Sequence, residues 1–161
     1  MEVNNKEPMT EQQLTGGDFT SLINRFPNAA PAQSYGFNAL LVPAESWKEL
    51  CSVLKNDAAY DFNMLVCISA VDREQEGIEI YAHVRSILRK QDMIVKCILL
   101  QELSQVDSLC EVWQSAELYE DEVYDLFGVN FTGHPFLRRL FLDDNFAGHP
   151  LRKDYGKVLE R

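Results

Sequence analysis

Between Met64 and Leu100 the chain passes three times between apolar runs of strand length and short polar breaks, which leaves few folds open. Met64–Val71 reads as a buried apolar strand. Asp72–Gly77 is polar and turn-like. Ile78, Ile80, Ala82 and Val84 then alternate with Glu79, Tyr81 and His83, the period-two pattern of a half-buried strand. Arg89–Asp92 makes a second turn and Met93–Leu100 returns. Breaks this short favour antiparallel neighbours, because a parallel pair needs a crossover of about a dozen residues or more. The middle of the chain is therefore expected to be a three-stranded antiparallel meander.

Helical signals flank it. Asp18 can cap a short helix carrying Phe19, Leu22, Ile23 and Phe26, after which Pro27 and Pro31 break the chain. Phe37–Val42 reads as a short strand. Pro43 suits a first helical turn, where its missing N–H would be an orphan anyway, and Trp47, Leu50, Cys51 and Leu54 follow on one face. Beyond the meander, helical spacing resumes at Val106, Leu109, Cys110 and Trp113. A second helix is expected from about Ser115 to Phe127, stopped by Gly128. The fold class is α+β: a small antiparallel sheet with helices packed on one face and an extended, irregular C-terminal arm. Residues 1–17 are polar, end in Gly16-Gly17 and read as a mobile tail; 18–128 read as the α+β domain and 129–161 as an extended arm expected to dock on partner subunits. The arm lacks periodicity yet carries Phe131, Phe136, Leu137, Leu140, Phe141 and Phe146. A disordered segment would be poorer in aromatics, so the arm needs a surface, either this domain or another protein.

The 161 residues suit one domain, and 46% apolar with 25% charged residues exclude global disorder. No apolar run approaches the roughly 18 residues of a membrane span, and the N-terminus has no apolar stretch that could serve as a secretory signal. The formal charge of −10 argues against nucleic acid as a partner, since phosphates are neutralised by Lys and Arg. From Gln101 to Leu137 there is no Lys or Arg, whereas Arg138, Arg139, Arg152 and Lys153 follow. Cys51, Cys67, Cys97 and Cys110 form no CxxC pair and fit neither a zinc site nor an iron–sulfur cluster. Free thiols in a reducing compartment are expected.

The candidate chemistry is sparse. His83 sits alone in a strand. His134 and His149 share a context, Gly133-His134-Pro135 and Gly148-His149-Pro150, each followed by basic residues. A metal held by these histidines and nearby carboxylates is one reading; structural turns are the better one, with proline biasing the preceding histidine toward extended geometry. No GxGxxG, P-loop or GxSxG pattern is present. On a helix Glu120 and Glu122 diverge by roughly 200°, so they cannot serve one reaction centre, while Glu122 and Asp125 share a face. Carboxylates among Tyr119, Val123, Tyr124, Leu126 and Phe127 need partners, and the downstream arginines are the obvious supply.

Taken in order, Glu120-Asp121-Glu122-Val123-Tyr124-Asp125-Leu126-Phe127-Gly128, Phe131, Gly133-His134-Pro135, Leu137-Arg138-Arg139 and Gly148-His149-Pro150-Leu151-Arg152-Lys153-Asp154-Tyr155 resemble the signature of the thirty-kilodalton subunit family of respiratory complex I, the NADH-quinone oxidoreductase. The resemblance covers about residues 36 to 155. It departs from the family at Asp121, where arginine is usual, and at Leu118, where an aromatic is usual. It implies a scaffold and assembly subunit with no catalytic residue, no metal site and no cofactor of its own. NADH, FMN, iron–sulfur clusters and quinone would belong to other subunits. It further implies a place in the peripheral arm of the complex, packed against the quinone-site module on the cytoplasmic side of the bacterial inner membrane, with membrane association only indirect. The signature residues Glu120, Glu122, Asp125, Phe127, Gly128, His134, Pro135, Arg138, Arg139, His149, Pro150, Arg152, Lys153, Asp154 and Tyr155 would then be structural or interface groups. A membrane-bound hydrogenase or a complex fed by another donor could use a similar subunit. A rival of another class is a self-contained metalloenzyme using His134 and His149.

Overall fold

The computed structural model describes residues 19–34, 36–100 and 104–158. The expected tail, residues 1–17, lies outside them, as does the capping residue Asp18. In chain order the elements are α1 (Phe19–Arg25), β1 (Ala30–Ser34), β2 (Phe37–Leu41), α2 (Ala44–Asn56), β3 (Met64–Asp72), β4 (Ile78–Ser86), β5 (Gln91–Leu99), β6 (Gln105–Asp107), α3 (Ala116–Phe127), β7 (Asn130–Thr132) and α4 (Tyr155–Val158).

The meander forms as its apolar pattern requires. β3 pairs with β4 and β4 with β5, both antiparallel. Register sets Ala82 opposite Ile68 and Val95, and Ile80 opposite Ala70 and Cys97, so one face carries most of the buried apolar set, while Ile94, opposite His83, is buried on the other. On that face α2 lays Trp47, Leu50, Cys51 and Leu54, none of them exposed to solvent. Leu22 of α1 and Phe26, just after that helix, join the same core. The alternate residues Glu79, Tyr81 and His83 point the other way. There Glu79 accepts from Lys96 and from Arg73, both at 2.9 Å, and His83 meets Asp92 at 2.9 Å.

Three features differ from expectation. The sheet has five strands in the order β1-β2-β5-β4-β3, and β2 runs parallel to β5. The direction follows from α2, whose 13 residues form the crossover that a parallel neighbour needs. Pro31 does not break the chain but sits in the edge strand β1, where one ladder N–H can be dispensed with. Finally, Val106, Leu109 and Trp113 are buried as expected but not as a helix. Val106 lies in β6, paired in parallel with Phe131 of β7, and the chain then turns with Val112 and Trp113 N–H both donating to the Leu109 carbonyl. One turn satisfies the same three-and-four spacing as a helix, so the pattern could not separate them.

Candidate functional site

α3 begins and ends where its sequence says it should: Ser115 precedes it and Gly128 closes it at φ 75°, with Gly128 N–H on the Tyr124 carbonyl. It carries three carboxylates at or below 1% exposure, Glu120, Asp121 and Asp125. Each holds a different piece of irregular chain.

Glu120 faces the turn after β6. The Ser108 hydroxyl donates to Oε2 and the Leu109 N–H to Oε1, both at 2.6 Å, and the Cys110 thiol donates to Oε2 at 3.5 Å. Burial pushes the Glu120 carboxyl up; these donors and the nearby His134 pull it back only in part. Burial likewise raises the Cys110 thiol to about 11, which keeps it protonated.

Asp121 faces the start of the arm. It accepts the Arg138 N–H at 3.0 Å, with His134 Nε2 and Arg138 Nε each 3.8 Å away. The Arg138 side chain is 60% exposed, so its backbone rather than its charge makes the contact that counts. His134 is set by Phe136 N–H, which donates to Nδ1 at 3.1 Å, and by its own Nε2–H on the Glu117 carbonyl at 3.2 Å.

Asp125 gathers the rest. Arg139 donates to Oδ1 at 2.8 Å, while Leu140, Phe141 and Leu142 N–H donate to Oδ2 at 3.1, 2.7 and 2.9 Å. Arg139 also reaches the carbonyls of Phe146 and Gly148 at 3.0 and 3.1 Å. Burial would raise the Asp125 carboxyl, but the Phe141 and Leu142 amides, the guanidinium and the Leu140 amide outweigh it and hold the group below the usual carboxylate range.

The end of the arm is fastened the same way. His149 Nδ1–H donates to the Asp125 carbonyl at 2.9 Å, Leu151 N–H to the Leu126 carbonyl at 3.1 Å and Arg152 to the Phe127 carbonyl at 3.3 Å. Lys153 N–H reaches Asp72 Oδ2, at the end of β3, at 2.9 Å. Gly128 must be glycine twice over, since a Cβ would stand 2.5 Å from the His149 ring. Tyr155 stacks on Phe146, centroids 6.1 Å apart. Pro135 and Pro150 each follow the histidine whose ring is pinned. Asp154 is exposed beside Arg152 at 3.8 Å. The surface on which the arm lies is thus in large part its own domain.

Glu122 is half-buried and makes no hydrogen bond or ion pair among the described residues. The pairing of acidic helix with downstream arginine therefore holds for Asp125 and Arg139, and not for Glu122. Three residues that hold the site went unrecognised in the sequence: Asp121, Asp72 and Ser108. Asp121 could have been found, because it stands at i−4 from Asp125 and so on the same face. Ser108 and Asp72 carry no local signal.

His134 and His149 do not meet in one ligand cluster. The potential ligand group among the described residues is Cys110, Glu120 and His134, with ligand atoms within 4.8 Å of one another. Its chemistry fits a metal poorly. A ligating histidine donates its second N–H outward, whereas His134 Nδ1 accepts from Phe136 N–H. Four large apolar side chains stand out on this part of the molecule: Leu118, Phe136, Phe141 and Leu151 are 59, 67, 65 and 50% exposed.

An α+β domain whose buried charges fix backbone while Leu118, Phe136, Phe141 and Leu151 are left exposed is of the class of docking and scaffold modules. The comparisons with known proteins narrow the class. The profile described as "Respiratory-chain NADH dehydrogenase, 30 Kd subunit" matches residues 40–158, and the chain belongs to that family. It is 39% identical over 131 residues to the C subunit of NADH-quinone oxidoreductase from Moorella thermoacetica, covering 81% of this chain and 87% of that one. A 35% match to the combined C/D subunit of the Phocaeicola vulgatus oxidoreductase covers 73% of this chain but 22% of that longer one. Among solved structures, a trypsin-resistant fragment of Nqo5 superposes with a TM-score of 0.64 at 25% identity, over 73% of this chain and 96% of that one. A chain of the membrane-bound sulfane sulfur reductase, an archaeal respiratory membrane complex, superposes at 0.72 and 25%, over 88% and 86%.

Proposed function

We propose that this chain is a non-redox structural and assembly subunit in the peripheral arm of a proton-translocating NADH-quinone oxidoreductase. The observation that carries the reading is the use of the three buried carboxylates: each holds backbone or side chains of this chain. No catalytic residue and no metal, flavin or iron–sulfur cluster is assigned to it; NADH, FMN, the clusters and quinone are handled by other subunits. The signature residues then shape a rigid C-terminal surface on which Phe136, Phe141 and Leu151 meet a neighbour. The quinone-site module is that neighbour, a reading supported by the Phocaeicola relative, whose name joins C and D in one polypeptide. No helix among the described residues is long and apolar enough to cross a membrane, which fits attachment through partners. The cytoplasmic face of the bacterial inner membrane is the proposed location.

A second reading keeps the role and changes the donor. The likeness to a chain of the sulfane sulfur reductase supports it, because that complex is named for another reaction. Gentle detergent purification through a tag on this chain separates the two. NADH-binding flavoprotein subunits should co-purify, with NADH-quinone reductase turnover; a hydrogenase or sulfur-reducing subunit in their place would establish the second reading. One zinc or iron per chain, retained by the subunit itself, would overturn the non-redox assignment.

A further inference from the structure

The sheet has two ends, and the C-terminal arm occupies only one. Lys153 of the arm is held by Asp72, which pairs with Ile78 at the start of β4. β4 then runs to Ser86, eight residue steps or about 26 Å further on. At that far end the turn into β5 projects Ile87 and Leu88, 60% and 81% exposed, followed by the exposed Arg89 and Lys90. Met64, 42% exposed, stands beside them at the start of β3, in register with Arg85.

This tip is held in place. Ile87 N–H donates to Asn63 Oδ1 at 3.4 Å, Arg89 N–H to Ser86 Oγ at 3.3 Å, and the Arg89 guanidinium to the Ala58 carbonyl at 2.7 Å. Lys90 adopts φ 53°, a conformation unusual for a side chain of its kind. Two adjacent aliphatic side chains are therefore presented to water by a fixed turn, with little ordering cost left for a partner to meet. The charge is also out of keeping with the molecule: on a chain of net charge −10, this turn carries Arg89 and Lys90, while Arg85 alongside is paired with Asp92 at 3.5 Å.

We propose that the β4–β5 tip is a second docking point, inserting Ile87 and Leu88 into an apolar cleft rimmed by carboxylates on a neighbouring protein subunit. It rests on the reading of this chain as a subunit of a larger complex. A lipid surface fits less well. The tip has no Trp or Tyr to anchor at headgroup level, and an acidic body is repelled by anionic lipid.

The test uses the complex isolated through a tag on this chain, with a photo-crosslinking phenylalanine analogue placed at position 88. A crosslink to one protein subunit is expected. Leu88→Asp should lower the amount of this chain retained in the complex after a salt wash by roughly tenfold. Lys90→Glu should lower it at low ionic strength, with the difference shrinking as salt rises. Both side chains are exposed, so neither change touches the core. Crosslinks to lipid alone, no adduct at all, or full retention of the Leu88→Asp chain would overturn the proposal. If the unaltered chain co-purifies with partners while Leu88→Asp is fully retained, only the tip is misread. If the unaltered chain co-purifies with nothing, the reading as a subunit fails first.

Discussion

Glu120 and Asp125 sit on one helix, both wholly buried, and hold two regions by different means. Asp125 anchors the C-terminal arm with a guanidinium and three amides, so its charge is compensated where it lies. Glu120 anchors the turn after β6 with a hydroxyl, one amide and a thiol, all neutral. Their carboxyls move in opposite directions, Asp125 down and Glu120 up. Burial is common to both; the supply of positive charge and amides decides the outcome. The arm is consequently held by a charge that stabilises, and the β6 turn by one that is partly tolerated.

Asp125→Ala should break the contrast most strongly. It leaves the amides of Leu140, Phe141 and Leu142 without their acceptor and the Arg139 charge without its carboxylate, a loss of about 3–5 kcal/mol. Limited proteolysis should open the arm while the meander stays resistant, and an arm as protected as before would show that Asp125 is not its anchor. Gly128→Ala should come next, at about 2–3 kcal/mol, because a left-handed φ and an occupied ring position are both violated. Denaturant unfolding measures it. Displacement of His149, followed by its ring resonances, should leave Glu120 and the β6 turn unaffected. Ser108→Ala removes one donor from a buried carboxylate and should cost about 1.5–2 kcal/mol, this time with the arm unchanged.

The smallest effect is the dependence on pH, and it has two signs. Glu120 titrates in the folded chain above 4.5, so acidification through that raised value binds a proton more readily in the folded state and stabilises it. Asp125 titrates below 3.8, so its contribution is present above that pH and is lost as pH falls through the lower folded value. Stability measured by denaturant should therefore rise slightly on approaching pH 4.5 from neutrality and fall below 3.8. Glu120→Gln should flatten the first limb and leave the second.

The meander and α2 were legible because area burial is written into every second or every third-to-fourth residue. α3 was legible for the same reason, and so was the need of its carboxylates for partners. What the sequence could not convey is which partner each would take. Nearness in sequence pointed to arginine for all of them, but Glu120 is closest in space to Ser108 and Leu109, twelve and eleven residues upstream. The parallel placement of β2 was equally hidden, since Phe37–Leu41 reads the same in either direction and only the crossover settles it. The arm's lack of periodicity fits a segment whose regular elements, among the described residues, are the short β7 and α4. Its attachment depends on single hydrogen bonds to α3 and Asp72, which leave no repeating trace.

The parallel pairing of β2 with β5 also has a consequence in time. Asn38 must wait for Met93, and Leu41 for Lys96. On a ribosome adding about 5–20 residues per second, several seconds pass between the synthesis of β2 and that of its neighbour. Throughout that interval β2 lacks the neighbour on its second side and α2 has no complete sheet to cover. The meander, by contrast, can close each strand on the one made just before it. The N-terminal third of the chain is thus the part most in need of shelter during synthesis, although in the finished molecule it is the part farthest from the family signature in sequence.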